Sequence, residues 1–370
     1  MITVIGAGLG GLTLAAVLHA HDVEVAVYDA DASPTARHQG GMLDLHEDSG
    51  QAALREAGVF ERFEQLILEG GDAMRILDKH ATVRMADDGN GERPEIDRGA
   101  LRDLLLSALP EGTVRWGARV TDVQPAAGGH QVSFADGSSI TADLLIGADG
   151  AWSKVRPLLT GATPVYSGIS FVEIRVPDAD NRHPELAAVV GPGMMFALGD
   201  EKGFLAHRES EGELCVYVAL KVPADWSTTT EITRDTLVAS FADWDKQLRA
   251  LITDSEGDLI ARPLYALPVG IGWDGVPGVT VLGDAAHLMS PFAGEGANLA
   301  MQDGAELARA LINHPGDAEA ALSEYESAMF ARAEWAARES ALNLVESFKP
   351  GGPQGLLDQF ARYAEAASQQ

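Results

Sequence analysis

The sequence predicts a two-domain α/β fold: a parallel nucleotide-binding domain, interrupted in sequence by a β-sheet domain and followed by a long C-terminal helix. Three observations carry this expectation. The chain opens on a strand, a glycine-rich turn and an apolar helix. Short strand-like stretches broken by proline and aspartate replace that pattern between about residues 164 and 262, and an apolar strand with glycine-rich turns returns near residue 279. With 370 residues, 46% of them hydrophobic and 22% charged, the chain can bury two cores and has the composition of an ordinary globular protein.

In chain order, Met1–Ile5 reads as a buried strand, Leu9–Ala20 as an apolar helix and Val23–Tyr28 as a second strand, one compact strand-helix-strand unit. Asp97 reads as the N-cap of a helix whose Leu101, Leu104, Leu105 and Ala108 share a face, with Pro110 and Gly112 as breakers. His130–Ala135 and Ser138–Ala142 flank an Asp136-Gly137 turn, a hairpin signal, and Leu144–Ile146 is a buried strand running into Gly147. Ser170–Val176 and Leu214–Lys221 are the clearest strands of the inserted region. Val279–Leu282 restores the first pattern, a helix follows from about Ala297 to Leu311, and helical periodicity runs from Ala318 to Phe348. Lys349–Gly355 then breaks the chain before a short amphipathic tail. The expected division is 1–163 with 263–317 for the nucleotide domain, 164–262 for the sheet domain and 318–370 for a bracing segment. The piece near 70–92 is a candidate to join the sheet domain.

Composition excludes several classes. A single cysteine, Cys215, allows neither an intramolecular disulfide nor a cysteine-based zinc site. The formal charge of −28 and the absence of a basic run argue against a nucleic-acid partner. No long apolar run predicts a membrane span, and the start at Met1 shows no basic region or cleavage site, so a cytoplasmic monomer is expected.

Two motifs carry chemistry. Gly6-Ala7-Gly8-Leu9-Gly10-Gly11 is a GxGxxG between a strand and a helix. Gly6 permits the turn, Gly8 lets a pyrophosphate approach the backbone, and Gly11 lets helix and strand pack closely. Asp29 ends the second strand, where a carboxylate can accept ribose hydroxyls. The motif alone does not choose between FAD and NAD. The second motif is Gly283-Asp284-Ala285-Ala286-His287, followed by Pro291-Phe292-Ala293-Gly294-Glu295-Gly296-Ala297-Asn298. Asp284 can bind polyol hydroxyls, and the glycine-rich loop opens a helix whose amides can face an electron-rich ring edge. A ribityl chain and a flavin ring need those groups, so the two motifs together point to FAD.

Those motifs, with Gly147-Ala148-Asp149-Gly150, resemble the three signatures of the single-component FAD monooxygenases of the p-hydroxybenzoate hydroxylase-like kind. Gly40-Gly41-Met42-Leu43-Asp44-Leu45-His46, Pro94-Glu95-Ile96-Asp97-Arg98 and the run from His287 to Gly294 are most similar to the TetX monooxygenases that inactivate tetracyclines. The resemblance implies an FAD-binding Rossmann-like domain with a β-sheet substrate domain above the flavin. It also implies reduction by NADPH and reaction with dioxygen to a C4a-hydroperoxyflavin, which hydroxylates a small-molecule substrate, aromatic or polycyclic, with a tetracycline among the candidates. By the same resemblance Asp44, Arg98 and Asp284 contact FAD, as do Gly294, Gly296, Ala297 and Asn298 of the loop, and Arg37 contacts the nicotinamide cofactor. Arg98 and Arg102, four residues apart, place cations that could reach a phosphate or the ring edge. His46 and His287 read as hydrogen-bonded structural groups without a catalytic role.

The chain departs from the tetracycline-inactivating pattern at its substrate positions. Glu173 stands where that family has a glutamine and Cys215 where it has a histidine, whereas Phe292 matches the aromatic residue of the pocket. A bare Glu173 carboxylate would favour a cationic or hydroxyl-rich ligand over a neutral one. Glu295 replaces the usual glutamine of the flavin loop, setting a carboxylate near a ring that becomes anionic on reduction. Two rivals share the motifs: an FAD-dependent reductase or dehydrogenase without oxygen transfer, and a catalytically silent FAD-binding sensor. NADPH oxidation stimulated by a substrate separates the sensor from the enzymes.

Overall fold

The structure, a computed structural model, describes residues 1–36 and 40–367. The chain forms two compact units: Met1–Leu66 with Arg98–Val165 and Ala266–Ser340, and Ile67–Asp97 with Tyr166–Tyr265 and Ala341–Gln370. The C-terminal stretch is therefore divided between the two units instead of standing as a segment of its own.

In the first unit, strands Val279–Val281, Leu144–Gly147, Ile2–Ile5, Val25–Tyr28 and Val114–Arg115 lie in that order in one sheet. All four pairings are parallel, with Ile2 opposite Leu144 on one side and Val25 on the other. The chain first extends the sheet on one side of Ile2–Ile5 and then returns to extend it on the other. Such a reversal leaves a crevice at the carboxyl ends of the strands, where α/β sheets bind ligands. Gly6, Gly147 to Gly150 and Gly283-Asp284 all follow such strand ends.

Helix Leu9–Ala20 is buried from Leu9 through Leu18, hydrophobic all round because it is covered on both sides. Its outer neighbour is helix Gly296–Asn313, and glycines set the spacing: a Cβ on Gly304 would stand 2.4 Å from Gly10 O, and one on Gly10 would stand 2.6 Å from Ala300 O. The first part of helix Ala318–Ser347 fastens onto this layer. Tyr325, 1% exposed, donates to Val281 O at 3.0 Å, and Glu326 accepts from Thr280 Oγ1 and Trp273 Nε1. The expected hairpin is present as Gly129–Phe134 and Ser139–Ala142, with a third strand, Val120–Ala126, on its open side.

In the second unit a seven-stranded sheet runs in the order Ile260–Ala266, Val165–Val176, Leu214–Lys221, Lys202–Arg208, Met194–Gly199, Met74–Leu77 and Val83–Asp87. One face carries Val172, Ile174, Val216, Val218 and Phe204 into a core with Leu237, Phe241, Leu248 and Leu251. Those last residues sit on helices Arg234–Ser240 and Lys246–Thr253, which the sequence reading of this region as short strands and connections had missed. Their start signals are local: Thr233 and Thr236 form a capping box, and Asp245 accepts from Gln247 N at 2.8 Å. The opposite face, by the two-residue alternation of strands, carries Phe171, Glu173, Arg175, Cys215, Tyr217 and His207.

Among the described residues no helix is long and apolar enough to cross a membrane. No group of three or more His, Cys, Asp or Glu side chains among them could hold a metal ion.

Candidate functional site

The glycines of the first turn answer to different neighbours. Gly6 has a φ of +108°, and a Cβ there would lie 2.2 Å from Ala148 O; one on Gly11 would lie 2.1 Å from Gly6 O. Packing within the protein requires both. Gly8 is different. Its backbone is extended, with φ −79° and ψ −179°, and a Cβ would meet nothing within 4 Å. Open space therefore faces the N-terminus of helix Leu9–Ala20, which has no side-chain cap, the arrangement that receives a phosphate.

Asp29 shapes this loop. Its Oδ2 accepts from Ala7 N and its Oδ1 from Asp31 N, both at 2.7 Å. Each oxygen keeps a second lone pair for a hydroxyl of a bound ribose. Arg102, expected alongside Arg98 to reach a phosphate or ring edge, is turned to the backbone of this loop. It is 3% exposed and donates to Ala7 O at 3.0 Å and Pro34 O at 2.7 Å, so its guanidinium holds the loop through the backbone. Arg98 donates its own N–H to Gly41 O, and its side-chain charge lowers the Asp284 carboxyl. Arg37 lies outside the described residues.

Asp284 opens a short helix, Asp284–His287, directly after strand Val279–Val281 and the Gly283 turn. Its surface is exposed, yet burial is the largest influence on its carboxyl and raises it above the ordinary carboxylate range, against the opposing charges of His287 and Arg98. The carboxylate is thus reachable from solvent while protein packs around its base. Asp149 has a similar character: burial raises its carboxyl, Oδ2 accepts from Lys154 N at 2.6 Å, and buried Oδ1 has no partner. An orphaned acceptor at a strand end is a mark of a site that completes its bonds with a ligand.

Two buried groups that the sequence did not single out, Arg156 and Asp303, fix these segments. Arg156, 3% exposed, donates to Ala285 O at 3.1 Å and Ala151 O at 2.9 Å, joining the Asp284 turn to the Asp149-Gly150 loop. Asp303, 0% exposed, accepts from Gly283 N at 2.9 Å, His287 Nε2 at 2.6 Å and Arg332 Nη2 at 2.8 Å. Burial alone would lower the His287 pKa, but the Asp303 carboxylate raises it; burial would raise Asp303, but the cations of His287 and Arg332 lower it. His287 thus shares the Asp303 carboxylate with the Gly283 amide at the start of the turn. The available signal for Asp303 was a carboxylate on the apolar face of its helix, four residues from both Leu299 and Leu307.

Asn298 is fully buried and closes the other side. Its Nδ2 donates to Asp44 O at 2.9 Å and its Oδ1 accepts from His46 N at 3.0 Å. The side chain therefore positions the Asp44 segment and does not reach outward. Helix Gly296–Asn313 begins here with no side-chain cap at Glu295, and a Cβ on Gly296 would meet nothing within 4 Å. Gly294 turns the loop at a φ of +69°, and Phe292 and Ala297 are half-buried beside it. Two uncapped helix ends, two open glycines, an exposed but crowded carboxylate and an orphaned acceptor lie in one unit. They fit a long ligand with an anionic middle and a polyol arm.

The second unit holds the other predicted residues. Glu173 is 8% exposed and is not bare: it accepts from Arg175 Nε at 3.1 Å and Arg262 Nε at 3.0 Å, and these contacts hold its carboxyl below the ordinary range despite burial. The expected unpaired carboxylate is thus corrected to a neutralised one. Cys215 is 1% exposed, opposite Arg175 on one strand and His207 on another, and burial pushes its thiol up to about 12, so it is an inert core thiol.

Comparison with known proteins adds the identity of the ligand. The family model described as "FAD binding domain" matches residues 1–240 and 275–340. The chain is 31% identical to the monooxygenase asqM of Emericella nidulans over 94% of this chain and 95% of that protein. Among solved structures, Klebsiella pneumoniae HpxO complexed with FAD and uric acid superposes with a TM-score of 0.78 at 25% identity, covering 98% of this chain and 92% of that one. The tetracycline destructase Tet(51) superposes with a TM-score of 0.71 at 19% identity, over 92% of this chain and 89% of that one, a likeness of fold alone.

Proposed function

Because the chain belongs to the FAD-binding-domain family of p-hydroxybenzoate hydroxylase-like monooxygenases, we propose that it is an NADPH-dependent hydroxylase of an aromatic or polycyclic organic substrate. The observation that carries the reading is the carboxyl edge of the first unit's sheet, where the open Gly8 turn and the exposed but crowded Asp284 follow strands Ile2–Ile5 and Val279–Val281, with Leu144–Gly147 and its Asp149 between them. When bound, FAD supplies the two-electron redox chemistry that dioxygen activation requires.

The residues of the chain have binding and positioning tasks. Backbone amides at Gly8 and the start of helix Leu9–Ala20 would hold the pyrophosphate, and Asp29 would accept from the ribose. Asp284 would accept from the ribityl hydroxyls, helped by Arg98 and the Asp44 segment, and the amides at Gly296 and Ala297 would serve the electron-rich part of the ring. No side-chain nucleophile is needed. Asp284→Ala is expected to raise the FAD dissociation constant about 10- to 100-fold, the equivalent of a charge-assisted hydrogen bond of about 1.5 to 3 kcal/mol. Titration of apoprotein with FAD, followed by flavin fluorescence, measures this. An unchanged constant would leave Asp284 as a turn residue only.

The substrate side of the reading rests on the second unit. Since Glu173 is neutralised, the group it presents is the half-exposed Arg262 guanidinium, held at Nε and directed by the carboxylate. Such a group suits a ligand with an acidic or strongly accepting substituent. Phe171 and Tyr217, with ring centroids 5.2 Å apart on the same sheet face, suit an aromatic one. Tetracycline is retained as one candidate among polycyclic phenols. Arg262→Gln is expected to weaken binding of acidic phenols about 10-fold and leave neutral ones as they were. Equal losses across both classes would remove Arg262 from recognition. The reading as a whole is tested by substrate-stimulated oxidation of NADPH, with NADH as comparison; a flavoprotein that shows none with any member of a phenol panel is the silent sensor.

A further inference from the structure

Glu173 is the middle link of a longer chain of ion pairs in the second unit. The Glu209 carboxylate, directly after strand Lys202–Arg208, accepts from Arg175 Nη1. Arg175 donates from Nε to Glu173 Oε1 at 3.1 Å, and Glu173 Oε2 accepts from Arg262 Nε at 3.0 Å. The chain starts in the interior, with the Glu209 side chain 4% exposed, and ends in solvent, with Arg262 54% exposed. Stability alone does not account for it. Packed apolar side chains commonly do as well as a buried ion pair, and the other face of the same strand has them in Val172, Ile174 and Val176. An exposed pair such as Glu173–Arg262 adds little by itself. What the chain does supply is orientation: Arg262 is held at Nε, while the Nη edge of its fork has no hydrogen bond among the described residues.

We propose that Glu209, Arg175 and Glu173 are positioning residues that fix Arg262 so that its two terminal nitrogens receive a planar pair of acidic oxygens, as in an aryl carboxylate. The inference rests on the substrate reading above and adds what orients Arg262 and which shape of anion it takes. A guanidinium presents its donors in a rigid plane that matches two coplanar oxygens, whereas an ammonium is a point charge. With Nε already engaged, Arg262 enters binding with its rotamer largely set, and the ligand is spared the entropy of ordering a long side chain. Charge and position predict opposite signs at Glu173. Despite burial, the largest influence on it, the bonds from Arg262 and Arg175 hold its carboxyl below the ordinary range, so it is ionised. Replacing it by glutamine removes a negative charge beside the cation, which by Coulomb attraction alone would tighten an anion. Positioning predicts looser binding, because the amide has one acceptor oxygen and its N–H groups oppose a guanidinium.

The test is isothermal titration of FAD-loaded protein with hydroxyaryl carboxylates of one to three rings and their matched carboxamides. The readout is the ratio of the two dissociation constants within each pair, which a general loosening of the sheet would not move. Wild type should prefer at least one carboxylate by about tenfold or more, and Arg262→Gln should abolish the preference. Arg262→Lys should lose most of it, since the charge remains and the fork does not. Glu173→Gln should lower the ratio about two- to tenfold, the worth of one immobilised long side chain, and Glu209→Met should lower it by less. Neither change should act in the Arg262→Gln background. A ratio kept or raised in Glu173→Gln, where Arg262→Gln abolishes it, overturns the positioning and leaves recognition by Arg262 standing. An unmoved ratio in folded Glu209→Met removes Glu209 and Arg175 from the device, and a full preference in Arg262→Lys overturns the paired-oxygen ligand. A wild type that prefers no carboxylate, or binds none of the panel, overturns both the inference and the reading of Arg262 on which it rests. Melting curves identify variants that fail to fold; if Glu209→Met is one, Glu173→Gln decides alone.

Discussion

Gly8→Val is expected to give a folded protein that cannot hold FAD. The backbone at this position is extended, a conformation any residue adopts, and a Cβ meets no protein atom within 4 Å. The substitution therefore adds bulk only to the space before the helix N-terminus. If that space receives the pyrophosphate, the valine side chain displaces it from at least two backbone amides, each bond to a charged group being worth about 1.5 to 3 kcal/mol. The FAD dissociation constant should rise more than about 100-fold, with a melting temperature of the apoprotein close to that of wild type. Isothermal titration and thermal melts of the two apoproteins measure both quantities. FAD affinity near the wild-type value would place the cofactor elsewhere; a collapsed melting temperature would mean that the position is needed for folding.

Asp303→Asn should be the most destabilising single change in the first unit. It leaves His287 and Arg332 without their shared carboxylate and weakens the bond to Gly283 N, all at a site with 0% exposure. Breaking a buried pair from one side costs about 3 to 5 kcal/mol. The loss has a defined pH dependence. Asp303 has a folded pKa below its ordinary value of 3.8, so its contribution is present above that value and disappears as pH falls through the lower, folded one. His287 has a folded pKa above its ordinary 6.5, so its contribution is complete below 6.5 and disappears as pH rises through the higher, folded one. The stability gap between wild type and Asp303→Asn should thus be widest between about pH 4 and about pH 6.5 and should narrow in acid and in alkali. Urea unfolding across that range measures it. A gap independent of pH would show that Asp303 acts by shape and not by charge.

What the residues disclose in sequence depends on how far each one's partners lie along the chain. The opening turn was legible because strand, glycines, helix and Asp29 are contiguous and each glycine has a local task. The loop from Pro291 to Asn298 was legible for the same reason. Arg156, Asp303 and Arg332 were not, because their meaning lies in partners up to 129 residues away, such as Ala285 O for Arg156. Glu173 was misjudged as bare because one of its neutralising partners, Arg262, is 89 residues distant. The side-chain bonds of Asn298 were not legible, because its amide is paired with Asp44 and His46, 254 and 252 residues away. In the second unit, strands dominated the reading because alternation is visible over a few residues. The helices Arg234–Ser240 and Lys246–Thr253 are only seven and eight residues long, too short for a 3.6-residue period to stand out.

The central claim, that this FAD-binding chain transfers oxygen to an organic substrate, is tested most directly by the fate of isotopically labelled dioxygen. The FAD-loaded protein is incubated with NADPH, labelled dioxygen and a panel of aromatic and polycyclic phenols, tetracycline included, and the products are analysed by mass spectrometry. The account predicts that at least one substrate gains a single labelled oxygen atom, one for each NADPH oxidised in a fully coupled reaction. Oxidation of NADPH stimulated by a substrate that is recovered with no labelled oxygen would contradict it and identify a reductase.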